Sequence, residues 1–351
     1  MDIAKRFPQN PLISPDDVVP SLPGLEVACL LNPGVFRYEG KVCLLMRVAE
    51  RQVQREGFLG TLVADDTQAT GVAALEFRLD DPELVHADPR MVSYKGQGYL
   101  TTLSHLRLAT SGDGVHFTVD EAPTLTGSGP LERFGLEDSR VAQIGGEYHL
   151  TYTAVSEFGV AVAHTSTRDW KRFERHGLML PPHNKDCALF EEKVGGHYYC
   201  LHRPEGVFLG GPFIWLARST DLNHWGGHTC LARTRPGMWD EARVGAGAAP
   251  IRTEAGWLAI YHGADRDSRY CLGALLLDLE DPTRVLARSV EPFMEPTQEY
   301  ERKGFFGHVV FTNGHLVDGD QVTLYYGASD TVICGATLSI REVLESLRGA
   351  A

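Results

Sequence analysis

The chain runs to 351 residues, 43% hydrophobic and 23% charged, the proportions of an ordinary globular protein with a sizeable core. Its formal charge of −13 excludes a nucleic-acid role driven by phosphate neutralisation, although a local basic cluster can still hold a small anion. No apolar run reaches the roughly 18 residues of a membrane span.

At the start of the chain, "MDIAKRFPQNPLISP" lacks the apolar stretch of a secretory signal. The seven cysteines form no CxxC pair and no metal-type spacing. Cys43 in "VCLL" and Cys200 in "YYCL" sit among apolar neighbours, as reduced core thiols do. Together these features point to a cytoplasmic protein.

Along the chain one unit recurs: a Gly-containing turn, a strand rich in Tyr, Val, Leu and Trp, then polar residues. It reads "EGKVCLLMRVAE", "KGQGYLTTLSHLRLA", "GGEYHLTYTAVS", "GGHYYCLHRPEG", "EAGWLAIYHGAD" and "DGDQVTLYYGASD", with a period of roughly 50 to 60 residues. A second unit accompanies it in "LATSGDGVHF", "AHTSTRDWKRF" and "ARSTDLNHW": a small-residue strand, a Ser/Thr–Asp turn, then an aromatic. Short turn-bounded strands at this spacing predict an all-β β-propeller, with an irregular pair of β-sandwiches as the rival. Helical periodicity is confined to "SIREVLESLRG", where Ile340, Val343, Leu344 and Leu347 share a face, predicting a short C-terminal helix. No low-complexity linker divides the sequence, so residues 1–351 read as a single domain.

In a propeller the inner strand ends converge on an axial channel, and here they are rich in polar groups. In order these are Asn32, Arg47 and Glu50; Asp88 and Arg90; His105 and Arg107; Glu137, Asp138 and Arg140; Lys185 and Asp186; His202 and Arg203; Arg243; Tyr261, His262 and Asp265; and Asp330. Any one of them alone reads as a turn acid or a surface cation. If Lys185, Arg203 and Arg243 converge, however, they make a cationic pocket suited to phosphate, sulfate or carboxylate. Glycoside cleavage needs one acid for the leaving oxygen and usually a second carboxylate, which a directly attacking phosphate replaces. "GAGAAP" lacks the residues of a P-loop, and no GxSxG marks a serine hydrolase. His86, Asp88 and His105 are a conceivable metal set, but histidines so scattered read as structural, and no metal is expected.

Taken in order, "NPG" with "LLMRVAE", "GLEDSRV", "HNKDCALFEEKVGGHYYCLHRP", "RVGAGAAPI", "GWLAIYHG" and "YYGASDT" resemble glycoside hydrolase family 130, the mannoside phosphorylases and related mannosidases. The resemblance implies a five-bladed β-propeller, so one of the six turn–strand copies would belong to an insertion or a shared blade. It implies Asp138 as the catalytic acid, in a segment where Ser139 replaces the family's proline. It implies Lys185, Arg203 and Arg243 as phosphate-binding cations with Tyr261 and His262 nearby, and a sugar subsite of Asn32, Arg47, Arg140 and Asp330. Asp88, in "HADPR", mimics the catalytic motif and is a further substrate-site residue and the alternative acid. The implied reaction is inverting phosphorolysis of a β-mannoside to α-mannose 1-phosphate, with inorganic phosphate as co-substrate and no other cofactor. Asp138 would act through the mannose 3-hydroxyl, keeping its proton near neutral pH through burial or Glu137, while Arg140 faces the sugar. "PDDVVPS", "LLMRVAE" and "YLTTLSHLRLA" are similar to the branch that acts on β-1,2-mannobiose or oligomannan, with the β-1,4 enzymes as alternative. Two other readings stay open: a β-mannosidase using Glu191, Glu192 or Glu241 as base, and a non-catalytic sugar-binding propeller. Expected partners are the manno-oligosaccharide and phosphate, not nucleic acid or membrane; a homo-oligomer is left open.

Overall fold

The computed structural model of the chain describes residues 2–206 and 209–348, leaving aside the side chains of residues 87, 88 and 348. The all-β expectation holds: strands dominate, and the helices are short. Five principal sheets follow one another along the chain, each an antiparallel path of four strands. The first contains Leu25–Tyr38, Lys41–Gln52, Leu103–Ser111 and Thr118–Val119. The second runs through Leu136–Ile144, Glu147–Ser156, Gly159–Thr167 and Glu174–Leu180, and the third through Asn184–Leu189, Tyr198–Pro204, Ile214–Ser219 and Trp225–Ala232. Arg243–Ala246, Gly256–Ala264, Tyr270–Leu277 and Val285–Arg288 make the fourth, with Ile251–Thr253 as an extra short strand. The fifth joins Val310–Asp318, Gln321–Ala328 and Val332–Ser339 to the N-terminal Lys5–Arg6.

Apolar clusters fill the spaces between neighbouring sheets and close them into a ring. Phe36, Leu45, Leu106, Leu150 and Trp170 pack between the first and second sheets, and Ile144, Leu180, Leu189 and Cys200 between the second and third. Leu201, Leu216, Trp257 and Leu275 lie between the third and fourth, Ile260, Leu272, Val310 and Leu324 between the fourth and fifth. Leu44, Met46, Val48 and Tyr325 bring the fifth back to the first. Second strands such as Gly256–Ala264 are buried throughout because both faces meet a neighbouring sheet, which explains their nearly unbroken apolar runs. The leading strands approach one another closely. A Cβ on Gly314 would fall 2.4 Å from the Val35 backbone nitrogen, so only glycine lets the first and fifth sheets meet there.

Five of the six recurring turn–strand units are the second strands of the five sheets. The sixth, "KGQGYLTTLSHLRLA", supplies Gln97–Leu100 and then the third strand of the first sheet. Gln97–Leu100 belongs to an insertion within that sheet, made of a hairpin, Phe58–Ala64 with Val72–Arg78, and a small sheet, Leu84–Asp88, Met91–Tyr94 and Gln97–Leu100. Its own cluster of Phe77, Leu84 and Val92 explains why its sequence imitates the main repeat. The Ser/Thr–Asp units are the turns between third and fourth strands. Asp113, Asp169 and Asp221 each accept backbone N–H groups two and three residues on, which stops one strand and starts the next. The expected helix spans Ile340–Arg348 and buries Ile340, Val343 and Leu347 against the last two sheets.

Candidate active site

A cavity of about 320 Å³ opens where the leading strands converge. Three of those strands carry a register shift at one equivalent point, between Leu31 and Gly34, Glu137 and Arg140, and Lys185 and Ala188. The bulged residues, Asn32, Asp138 and Asp186, have φ of 21°, 51° and 53°. Asn and Asp tolerate this left-handed backbone better than other side-chain-bearing residues, and a bulge re-aims a side chain out of the strand alternation. This answers why polar residues interrupt apolar strands: the bulge directs them toward the axis.

Asp138 lines the cavity and accepts from Asn32 Nδ2 at 3.1 Å and Arg47 Nη1 at 3.3 Å. Arg47 also donates to Glu137 Oε1 at 2.7 Å and to Ser104 Oγ at 2.9 Å, so its guanidinium is held on three sides. The cation beside Asp138 is therefore Arg47 rather than Arg140. Asp330 comes from the turn between the last two strands of the fifth sheet, where Ser329 and Asp330 both have positive φ, as a type I′ turn requires. Burial pushes the Asp330 carboxyl up to about 6, with Arg47 opposing the shift and Asp138 adding to it. Ser139 is fully buried and donates to Leu45 O at 3.2 Å, so side-chain anchoring replaces the stiffness of a proline.

Lys185, Arg203 and Arg243 line the same cavity. Arg203 donates through Nε to Asp186 Oδ2 at 2.6 Å and through Nη1 to Glu205 Oε1 at 2.5 Å. Arg243 donates to the Tyr270 hydroxyl at 2.8 Å. Among the described residues, no carboxylate forms an ion pair with Lys185 or Arg243. His262 lines the wall, but both its ring nitrogens are buried, its ring 4.1 Å from that of Phe311 and Nε2 3.4 Å from Asp186 Oδ2. Burial alone would raise the Asp186 pKa, but Arg203, His262 and Arg140 hold it well below the usual carboxylate range.

Other expectations need correction. Arg140 does not face the cavity: it is 3% exposed and donates to Gly247 O, Ala246 O, Asp138 O and Asp186 Oδ1, which occupies its guanidinium in tying leading strands together. Tyr261 does not join the cations. Strand alternation turns it to the opposite face from His262, where its hydroxyl donates to Asp240 Oδ2 and accepts from Arg288 Nε. The tyrosine beside the cations is Tyr270, opposite Ala264 on the adjacent strand, which counting cross-strand partners back from "IYHGAD" would have found. Asp88 ends the strand Leu84–Asp88, but its side chain lies outside the described residues. Glu205, also missed, lines the cavity two residues beyond Arg203. Glu191 and Glu192 line a different cavity, with Val35, Gly314 and Trp257, and Glu241 pairs with Arg266; none of the three reaches the acid.

Asp138, flanked by hydrogen-bond donors, therefore shares its cavity with Arg203, which is paired with Asp186 and Glu205, and with Lys185 and Arg243, which form no ion pair among the described residues, an arrangement suited to protonating one oxygen while holding an oxyanion. Cys29, on the same wall, is no nucleophile: burial, with the Asp330 charge adding, pushes its thiol up to about 12. Among the described residues no group of three or more His, Cys, Asp or Glu is placed to hold a metal ion.

The sequence matches a family model described as beta-1,4-mannooligosaccharide phosphorylase over residues 82–349. It is 46% identical over 346 residues to a beta-1,2-mannobiose phosphorylase of Listeria innocua, covering 97% of this chain and 98% of the relative. The solved structure of β-1,2-mannobiose phosphorylase from Listeria innocua with β-1,2-mannobiose aligns with a TM-score of 0.95 at 45% identity, over 98% of this chain and 99% of that one. A 1,2-beta-oligomannan phosphorylase of Thermoanaerobacter sp. is 40% identical over 247 residues, 69% of this chain and 80% of the relative. A beta-1,4-mannooligosaccharide phosphorylase of Ruminococcus albus is 28% identical over 257 residues, 69% of this chain and 76% of the relative.

Proposed function

The chain belongs to glycoside hydrolase family 130, and from that premise we propose that it is an inverting phosphorylase of β-1,2-linked mannobiose or oligomannan. Inorganic phosphate is the co-substrate, no other cofactor is needed, and α-mannose 1-phosphate is the product. The observation that carries the reading is the placement of Lys185 and Arg243, two cations without carboxylate partners, in the cavity that holds Asp138. Phosphate held by Lys185, Arg203 and Arg243 attacks the anomeric carbon as the bond to the leaving sugar breaks. Asp138 supplies the proton that the leaving oxygen takes up, relayed through the mannose 3-hydroxyl. Asn32 and Arg47 hold Asp138, and with Asp330 they form the sugar side of the cavity; His262 and Tyr270 complete the wall behind the cations.

The β-1,2 linkage is favoured because relatives named for it share 46% and 40% identity, against 28% for the β-1,4 relative. A hydrolytic reading loses its bases, since Glu191, Glu192 and Glu241 all stand away from the acid. The ring of five sheets functions as a five-bladed β-propeller, with residues 1–351 as one catalytic domain in the cytoplasm. Incubation with β-1,2- and β-1,4-mannobiose, each with and without phosphate, tests the proposal. Mannose 1-phosphate should form from the β-1,2 substrate only when phosphate is present, whereas phosphate-independent mannose release would establish a hydrolase.

A further inference from the structure

Asp186 sits where three sheets contribute to one cluster, and nothing so far gives it a part in the reaction. It is 2% exposed and stands on the bulge of the third sheet's leading strand with φ of 53°. One oxygen, Oδ2, accepts from Arg203 Nε at 2.6 Å and lies 3.4 Å from His262 Nε2; the other accepts from Arg140 Nη2 at 3.2 Å. The fourth sheet leaves just enough room for it: a Cβ on Gly245 would fall 2.2 Å from Oδ2 and 2.5 Å from the His262 ring. On that side the fourth sheet closes directly on the Asp186 carboxylate and the His262 ring.

Resting on the phosphorylase reading, we propose that Asp186 is the positioning residue of the phosphate site, fixing the plane of Arg203 and the seat of His262 without itself meeting phosphate. The geometry of Arg203 gives the reason. Its Nε is taken by Asp186 and its Nη1 by Glu205, whose side chain is 37% exposed at the mouth. These two contacts define the guanidinium plane, leaving Nη2 for an incoming anion. Without Asp186 the guanidinium is anchored only at the exposed Glu205 and swings outward, so an incoming phosphate must first order it, and preorganisation is lost. Asn in this place is not silent, because its NH₂ group would face a guanidinium that can only donate.

The test is the Asp186→Asn variant, with initial rates of mannose 1-phosphate formation measured against phosphate and, separately, against β-1,2-mannobiose. The expected result is a phosphate KM raised about ten- to a hundredfold, from loss of a charge-assisted hydrogen bond, with the mannobiose KM changed less than about threefold. Stabilisation of the folded protein by added phosphate, visible in a thermal melt of the wild type, should shrink in parallel. Gly245→Ala crowds Asp186 while keeping its charge, and should shift the phosphate KM in the same direction if Asp186→Asn does not fold. A phosphate KM unchanged in a folded variant, or both KM values rising together, would overturn the proposal. Wild-type turnover without phosphate would instead overturn the phosphorylase reading beneath it.

Discussion

Asp138 and Asp330 face one cavity from two different backbone devices, a bulge and a type I′ turn. Replacing Asp138 by Asn removes the proton donor but keeps its size and its bond from Asn32. Phosphorolysis should fall by about 10²–10⁴ while the circular dichroism spectrum stays that of the wild type. Asp330 predicts the opposite balance. Its carboxyl is raised to about 6, so the folded state holds the proton more tightly than the unfolded chain. Stability is thus lost as pH rises from the unfolded value of about 4 through 6, and the penalty is complete above that. Asp330→Asn should be about 1–3 kcal/mol more stable at pH 7.5 in urea titration, and should bind mannobiose less well. Site residues that interrupt apolar strands, such as Asp138 and Lys185, were legible in the sequence because polar groups there have no structural reason. The side on which Arg140 points was not, because the bulge between Glu137 and Arg140 shifts the alternation that sequence spacing alone assumes. Tyr261 follows plain alternation, and grouping it with its neighbour His262 overlooked that adjacent strand residues face opposite ways.

At the scale of single elements, the second sheet carries a row of histidines across three adjacent strands. His149 Nδ1 lies 3.0 Å from His164 Nε2, and the His164 ring stacks on His176 at 4.4 Å. Burial first, then the charges of His176 and His149, lower the His164 pKa to about 3. The unfolded chain therefore takes up a proton that the folded sheet refuses. This contribution to stability is intact above about pH 6.5 and is lost as pH falls toward 3. His164→Phe should flatten the decline of the urea midpoint between pH 7 and 5 relative to the wild type; a decline of equal slope would show that the row does not set acid stability. Element existence was readable from turn–strand periodicity in this sheet and its neighbours, since each strand of "GGEYHLTYTAVS" type is bounded by glycine turns. The sixth copy misled because the insertion builds its own small apolar cluster from the same residue types, and local pattern does not record which sheet a strand joins.

For the molecule as a whole, the fifth sheet takes its outer strand, the two-residue Lys5–Arg6, from the opposite end of the chain, where it pairs with Val332–Ser339. Arg6 locks it: Nε donates to Glu301 Oε1 at 2.6 Å and Nη2 to Glu295 O at 2.5 Å. Glu301 is fully buried and also accepts from Tyr326, so Arg6→Ala leaves a buried charge short of its cation. The variant should lose about 3–5 kcal/mol in urea unfolding with unaltered kinetic constants at temperatures where it remains folded. Sequence reading found neither partner of this lock, because 295 residues separate them and nothing local marks the pairing.

That seam also brings the first and last segments of the polypeptide into one cluster, where Ala4 packs with Val343 and Leu347. A short tether joining the two ends, with the chain cut afresh at the exposed Gly195–Gly196 turn, would yield a circular permutant whose axial strands are all uncut. Such a rearranged enzyme would carry Lys5–Arg6 on an internal segment, so that the fifth sheet would no longer take its outer strand from a free end.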